Sequence, residues 1–141
     1  MIIRLQRDDF DPERAAAECA VPGAGARVAF LGTVRDMTDD VAVREITVEH
    51  YPGMTERELA RIAQKARAAH ELLEVLVIHR FGVLAAGERI VLVCVWATHR
   101  KAAFAGCQEI VEALKTHAPF WKKEHGARGE RWVEGGVPAA D

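Results

Sequence analysis

The chain has 141 residues, half of them hydrophobic and 28% charged, with a formal net charge of −2. That size suits a single domain over residues 1–141, and the near-neutral balance excludes both disorder and a basic coat for bulk nucleic acid. The opening "MIIRLQRDDFDPE" turns acidic at once and no apolar run reaches membrane-span length, so the sequence reads as cytoplasmic and free of a membrane segment.

In chain order, "IIRLQ" predicts a short strand, and "DPERAAAECA" a short helix with Asp11 as N-cap and Pro12 at its first position. After the Pro22/Gly23/Gly25 turn, "ARVAFLGTV" predicts a buried strand, "RDMTDDVA" a polar mobile loop, and "VREITVEHY" a half-buried strand by its alternation. "PGMTERE" starts a helix with Thr55 and Glu58 as a capping box. Leu59, Ile62, Ala63, Ala66 and Ala69 form its apolar stripe, and it ends near Glu71. "LEVLVIHRFG" and "ERIVLVCVWAT" are apolar enough for central strands, joined by the "VLAAG" connection. "HRKAAFAGCQEIVEALKTHA" predicts a second long helix with Thr98 as N-cap and Ala103, Cys107, Ile110, Val111 and Leu114 inward, stopped by Pro119. "FWKKEH" and "GERWVEG" read as strands around the Gly126–Gly129 turn, and residues from about 135 to 141 as a frayed tail. Helices interleaved with strand pairs in this order give an α+β domain with a mixed or mostly antiparallel sheet.

Several chemistries drop out. The chain has no serine and no asparagine, which removes serine-triad hydrolysis, and it has no CxxC, HExxH, P-loop or GxGxxG signature. Cys19, Cys94 and Cys107 are widely separated within apolar patterns and read as small core residues of a reducing compartment. The histidines show no metal-ligand spacing, so no metal is assigned.

What remains is cationic. In "ATHRKAAF", His99, Arg100 and Lys101 crowd the first turn of a helix, where the dipole already presents positive potential; a bound anion would reverse the local repulsion. Side chains splayed into solvent are the plainer alternative. Lys115 borders the apolar face near a helix end, a place where its amine could be desolvated or could simply satisfy the last carbonyls. In extended "PFWKKE", Lys122 shares a side with Phe120 and Lys123 with Trp121. Arg35 opens the polar loop, suited either to close on a ligand or to stay solvated.

"FLGTVRD", "EHYPGMTE", "VIHRFG", "ATHRKAAF" and "LKTHAPFWKKE…GERWVE" occur in this order and resemble the large, catalytic subunit of molybdopterin synthase, from about Val28 to Glu134. The resemblance implies an α/β hammerhead fold with an additional small antiparallel β subdomain. It implies a sulfurtransferase that installs the two dithiolene sulfurs on cyclic pyranopterin monophosphate to give molybdopterin, in molybdenum cofactor biosynthesis. The sulfur donor it implies is the C-terminal Gly-Gly thiocarboxylate of a small ubiquitin-like subunit, whose tail threads into a pocket of the large one. It further implies a homodimer of large subunits within a heterotetramer, and no metal or organic cofactor for the transfer. Carried over position by position, the two essential lysines fall on Lys115 and Lys122, and the basic groups for the anion and the pterin on Arg35, His99 and Arg100. The matching substrate-contact stretches are Thr33-Val34-Arg35 and Lys122-Lys123-Glu124, and His99 and Arg100 are expected to serve the neighbouring subunit's site. The chain departs from the family pattern in its more acidic "RDMTDD" and at Gly136, where some members carry a further arginine. Lys115 is the expected proton-transfer group.

Two rival readings accompany this one. Phe120 and Trp121 could be stacking platforms of a non-enzymatic single-strand nucleic-acid module with the flanking lysines on phosphates, and Lys115 could be a Schiff-base lysine.

Overall fold

A computed structural model describes residues 1–133, and the tail expected from about 135, with Gly136, lies outside the described residues. The elements are β1 (Ile2–Gln6), α1 (Pro12–Ala17), β2 (Ala26–Thr33), β3 (Met37–Thr38), β4 (Val41–His50), α2 (Met54–His70), β5 (Glu74–Arg80), β6 (Gly82–Ala85), β7 (Arg89–Ala97), α3 (Arg100–His117), β8 (Phe120–Gly126) and β9 (Gly129–Trp132). The α+β class is as the sequence predicts. Two strands, β3 and β6, were missed.

The first sheet has the order β1-β5-β7-β2, with β1 parallel to β5 and the other pairs antiparallel. Helix α1 covers one face, packing Ala15 and Ala16 on Leu76, Ile78, Leu92, Cys94 and Trp96. Helices α2 and α3 cover the other, over Val75, Val77, Val93 and Val95. With both faces covered, Val75–Ile78 of β5 and Ile90–Ala97 of β7 are unbroken apolar runs rather than alternating, which is why these strands read as central from sequence. Cys94 and Cys107 are buried within these layers and Cys19 is half-buried; burial pushes the Cys94 thiol up to about 12 and the Cys107 thiol up to about 11. They act as core residues, not nucleophiles.

A second sheet forms the small antiparallel subdomain, in the order β3-β4-β8-β9 with β6 also paired to β4. The "RDMTDD" segment is no open loop: Asp39 and Asp40, at φ 50° and 63°, make a two-residue turn joining β3 to β4. The "VLAAG" connection is likewise mostly strand. Gly82, at φ 95°, redirects the chain from β5 in the first sheet into β6 beside β4 in the second.

Two helix starts differ from expectation. Gly53, at φ 81°, is the N-cap of α2, and Glu56, not Glu58, reaches back to its N–H at 3.1 Å. The Pro52-Gly53 step supplies the turn, so the chain enters the helix before Thr55 is reached. Thr55 is buried instead, accepting from the Tyr51 N–H (3.0 Å) and donating to the Pro119 carbonyl (3.2 Å), and thus ties α2 to the start of β8. His99 rather than Thr98 is the N-cap of α3. On the expected apolar stripes, Ala69 is exposed, and Val111 and Leu114 are only half-buried because they border a cavity.

Candidate active site

The end of α3 makes the site. Ala118 leaves helical conformation (ψ 133°), Pro119 has no N–H to continue the ladder, and β8 begins at Phe120, folding back beside the last turn of α3. Lys115 on that turn and Lys122 on β8 thereby line the same cavity of about 400 Å³. Strand β2 contributes Phe30, Gly32 and Thr33, and Arg35 stands just beyond it. Ile90, Val91, Val111, Leu114 and Phe120 give apolar walls, with His79 beside them.

Alternation along β8 holds as read from sequence. Phe120 and Lys122 face the cavity, whereas Trp121 packs edge-on against Tyr51 with centroids 4.3 Å apart, and Lys123 pairs with Glu130 at 2.7 Å and lies over Trp132. Among the described residues no carboxylate lines the cavity, and Arg35, Lys115 and Lys122 make no ion pair. Three cations around one apolar-walled space suit it to an anion.

The lysines are not equivalent. Lys115 is exposed, so the desolvation expected there is absent. Lys122 carries it: burial on β8 lowers its pKa below the usual lysine range, and the positive charge of Lys115 lowers it further. The reason is positional, since Lys115 on the last turn of the helix is exposed whereas Lys122 on β8 is half-buried in the cavity wall.

The other predicted residues sit elsewhere. Val34 is buried, and its N–H bonds the Glu88 carbonyl while its own carbonyl accepts from Gly87, which fixes Thr33 and Arg35 on either side. Glu124 is buried away from the cavity, accepting from the Thr38 hydroxyl and the Arg131 Nε, each at 2.8 Å. With Lys123 it braces the β subdomain. His99 and Arg100 are exposed at the opposite end of α3, about 22 Å along the axis from Lys115, and do not line this chain's cavity.

His79 was passed over among the histidines, yet it lines the cavity, buried, stacked on Phe120 with centroids 3.8 Å apart and planes 15° apart. Burial, with the Lys122 charge adding, pushes it down to about 3, so it is neutral at pH 7. Strand parity was the available signal: Val75 and Val77 face α2 and α3, and position 79 follows them. Arg80, next along, is buried in structural bonds to the carbonyls of Arg7 and Arg89 and to Glu88.

Among the described residues no group of three or more His, Cys, Asp or Glu side chains is placed to hold a metal, and no helix is long and apolar enough to cross a membrane. Phe120 and Trp121 are both buried, which takes away the stacking surface that the nucleic-acid reading requires.

Comparison with known proteins agrees with the geometry. The family model described as "MoaE protein" matches residues 5–117. A molybdopterin synthase catalytic subunit from Ralstonia nicotianae is 50% identical over 137 residues, covering 96% of this chain and 78% of that protein. A solved molybdopterin biosynthesis MoaE protein from Burkholderia ambifaria superposes with TM-score 0.80 at 44% identity, covering 94% of this chain and 88% of the other. At 19% identity, a Helicobacter pylori structure described as a complex of subunits 1 and 2 of molybdopterin-converting factor shares the fold, with TM-score 0.72 over 95% of this chain and 91% of that one. A cation-lined cavity at the end of α3, held by residues within or beside the matched span, thus stands in a chain that belongs to the MoaE family.

Proposed function

We propose that this chain is the catalytic subunit that makes the dithiolene of molybdopterin, taking sulfur from the C-terminal Gly-Gly thiocarboxylate of a small ubiquitin-like partner and placing it on cyclic pyranopterin monophosphate. The observation that carries this reading is the convergence of Arg35, Lys115 and Lys122 on one cavity with apolar walls and, among the described residues, no carboxylate. Both reactants are anionic, and the apolar walls suit a pterin and a glycine tail. Arg35 and Lys115 hold the phosphate, and Lys122, with the lowered pKa, stabilises the oxyanion formed at the acyl carbon and moves protons. This shifts the proton-transfer role from Lys115 to Lys122. Thr33 borders the same space, while Val34, Lys123 and Glu124 act by holding its frame.

His99 and Arg100 reach such a site only from a second copy. Strand β2 is an edge of its sheet, with Phe30 and Leu31 exposed, and Phe104 on α3 is 62% exposed; this apolar edge beside α3 suits a homodimer contact. A heterotetramer with one small subunit per large one follows, and the Helicobacter pylori complex supports the small partner. The reading assigns no cofactor. Reconstitution tests it: the chain, the precursor and a thiocarboxylated partner yield molybdopterin, and deletion of the partner's two glycines abolishes the product. Equal product with and without them would exclude the tail as sulfur donor.

A further inference from the structure

His79 offers the cavity a ring nitrogen that can accept a proton, which its three cations do not. Arg35 and the charged forms of Lys115 and Lys122 only donate hydrogen bonds. The His79 Nδ1 lies 2.8 Å from the Arg80 carbonyl, and because a carbonyl can only accept, Nδ1 carries the proton. Nε2 therefore bears the lone pair; among the described residues the ring's hydrogen bond is the one at Nδ1, which leaves Nε2 to the cavity that His79 lines. Stacking on Phe120 fixes the ring plane, and the bond to Arg80 fixes its tautomer.

The chemistry of the proposed function needs such an acceptor. When sulfur leaves a thiocarboxylate carbon for the pterin side chain, the acyl carbon must gain an oxygen from water. We propose that Nε2 of His79 seats that water and relays its proton during cleavage of the acyl–sulfur adduct, which makes His79 a catalytic residue. In the step, the water oxygen bonds the acyl carbon and the carbon–sulfur bond breaks with its electron pair left on sulfur. One water proton passes through Nε2 to that sulfur, and the other stays on the new carboxyl group. Lys122, beside the ring, steadies the oxyanion of the tetrahedral species. The neutral state of the empty site keeps the lone pair available, and bound anions oppose the Lys122 charge and raise the imidazole's proton affinity as the reaction needs it.

The inference rests on the sulfur-transfer reading, and one set of variants separates the two. Asparagine can reproduce the Nδ1 donor to Arg80 but not Nε2, whereas glutamine places a polar atom near Nε2. In single-turnover reactions with precursor and thiocarboxylated partner, followed by mass spectrometry, His79→Asn should slow product formation about 10²-fold and accumulate the partner–pterin adduct, with precursor binding retained. His79→Gln, whose carboxamide can seat the water but cannot take its proton, should also lose most of the rate and accumulate the adduct. His79→Phe, which keeps an aromatic face for Phe120, should behave as the asparagine variant does. Turnover of His79→Asn or of His79→Gln at the wild-type rate without adduct would overturn the proposal. If the wild-type protein itself makes no dithiolene, the sulfur-transfer reading fails and this step with it.

Discussion

At the residue scale, the site depends on where each cation meets water. Lys115 and Lys122 line one cavity, but one ends a helix in solvent and the other lies on a covered strand. Burial is the larger cause of the lowered Lys122 pKa and the Lys115 charge the smaller. Lys115→Ala should therefore raise the Lys122 pKa only part of the way toward that of an ordinary lysine, as read by carbon NMR titration of the lysine ε-methylenes. An unchanged or lower value would show that the two ammonium groups do not sense each other. The sequence showed both lysines and the parity of Lys122 with Phe120. It could not show which lysine was the less exposed, because that depends on how Pro119 turns β8 back against α3. His79 was legible only as one more position on an apolar strand; its stack on Phe120 joins residues 41 positions apart, which no local pattern reports.

At the element scale, the cavity is held by the pairing of β4 with β8, which fixes where Lys122 sits. Gly126 closes that ladder where a Cβ would stand 2.1 Å from the Ala42 carbonyl oxygen, a backbone atom that cannot swing away. Gly126→Ala should destabilise the protein by about 1–3 kcal/mol in urea unfolding, through forced separation of the two strands. A midpoint within error of wild type would mean that the strands part at no cost. Most elements followed from periodicity and punctuation: β5 and β7 from their apolar runs, α1 from Asp11 and Pro12, and the end of α3 from Pro119. The misses share a cause. β3 and β6 are short and polar or Gly-flanked, and each exists because β4 offers an edge, so their signal lies in the partner strand. The start of α2 was misplaced because the left-handed Gly53 and the distant Pro119 carbonyl, not the local Thr55/Glu58 spacing, decide what Thr55 does.

At the scale of the whole molecule, one end of a three-layer α+β core carries a small antiparallel sheet, and the cavity opens at their junction between α3, β2 and β8. His99 and Arg100 lie at the far end of α3, away from the cavity, while the edge strand β2 leaves Phe30 and Leu31 exposed. The family match explains why motifs scattered from "FLGTVRD" to "GERWVE" converge: Thr33, Arg35, Lys115 and Lys122 border one space, while Val34, Lys123 and Glu124 hold its walls. The most direct test of that space as the sulfur-transfer site is the single-turnover rate of dithiolene formation by Lys122→Ala, with partner binding measured in parallel. The account predicts a loss of at least about 10²-fold with the partner still bound, the scale of removing one oxyanion-stabilising group. A near-wild-type rate would contradict it.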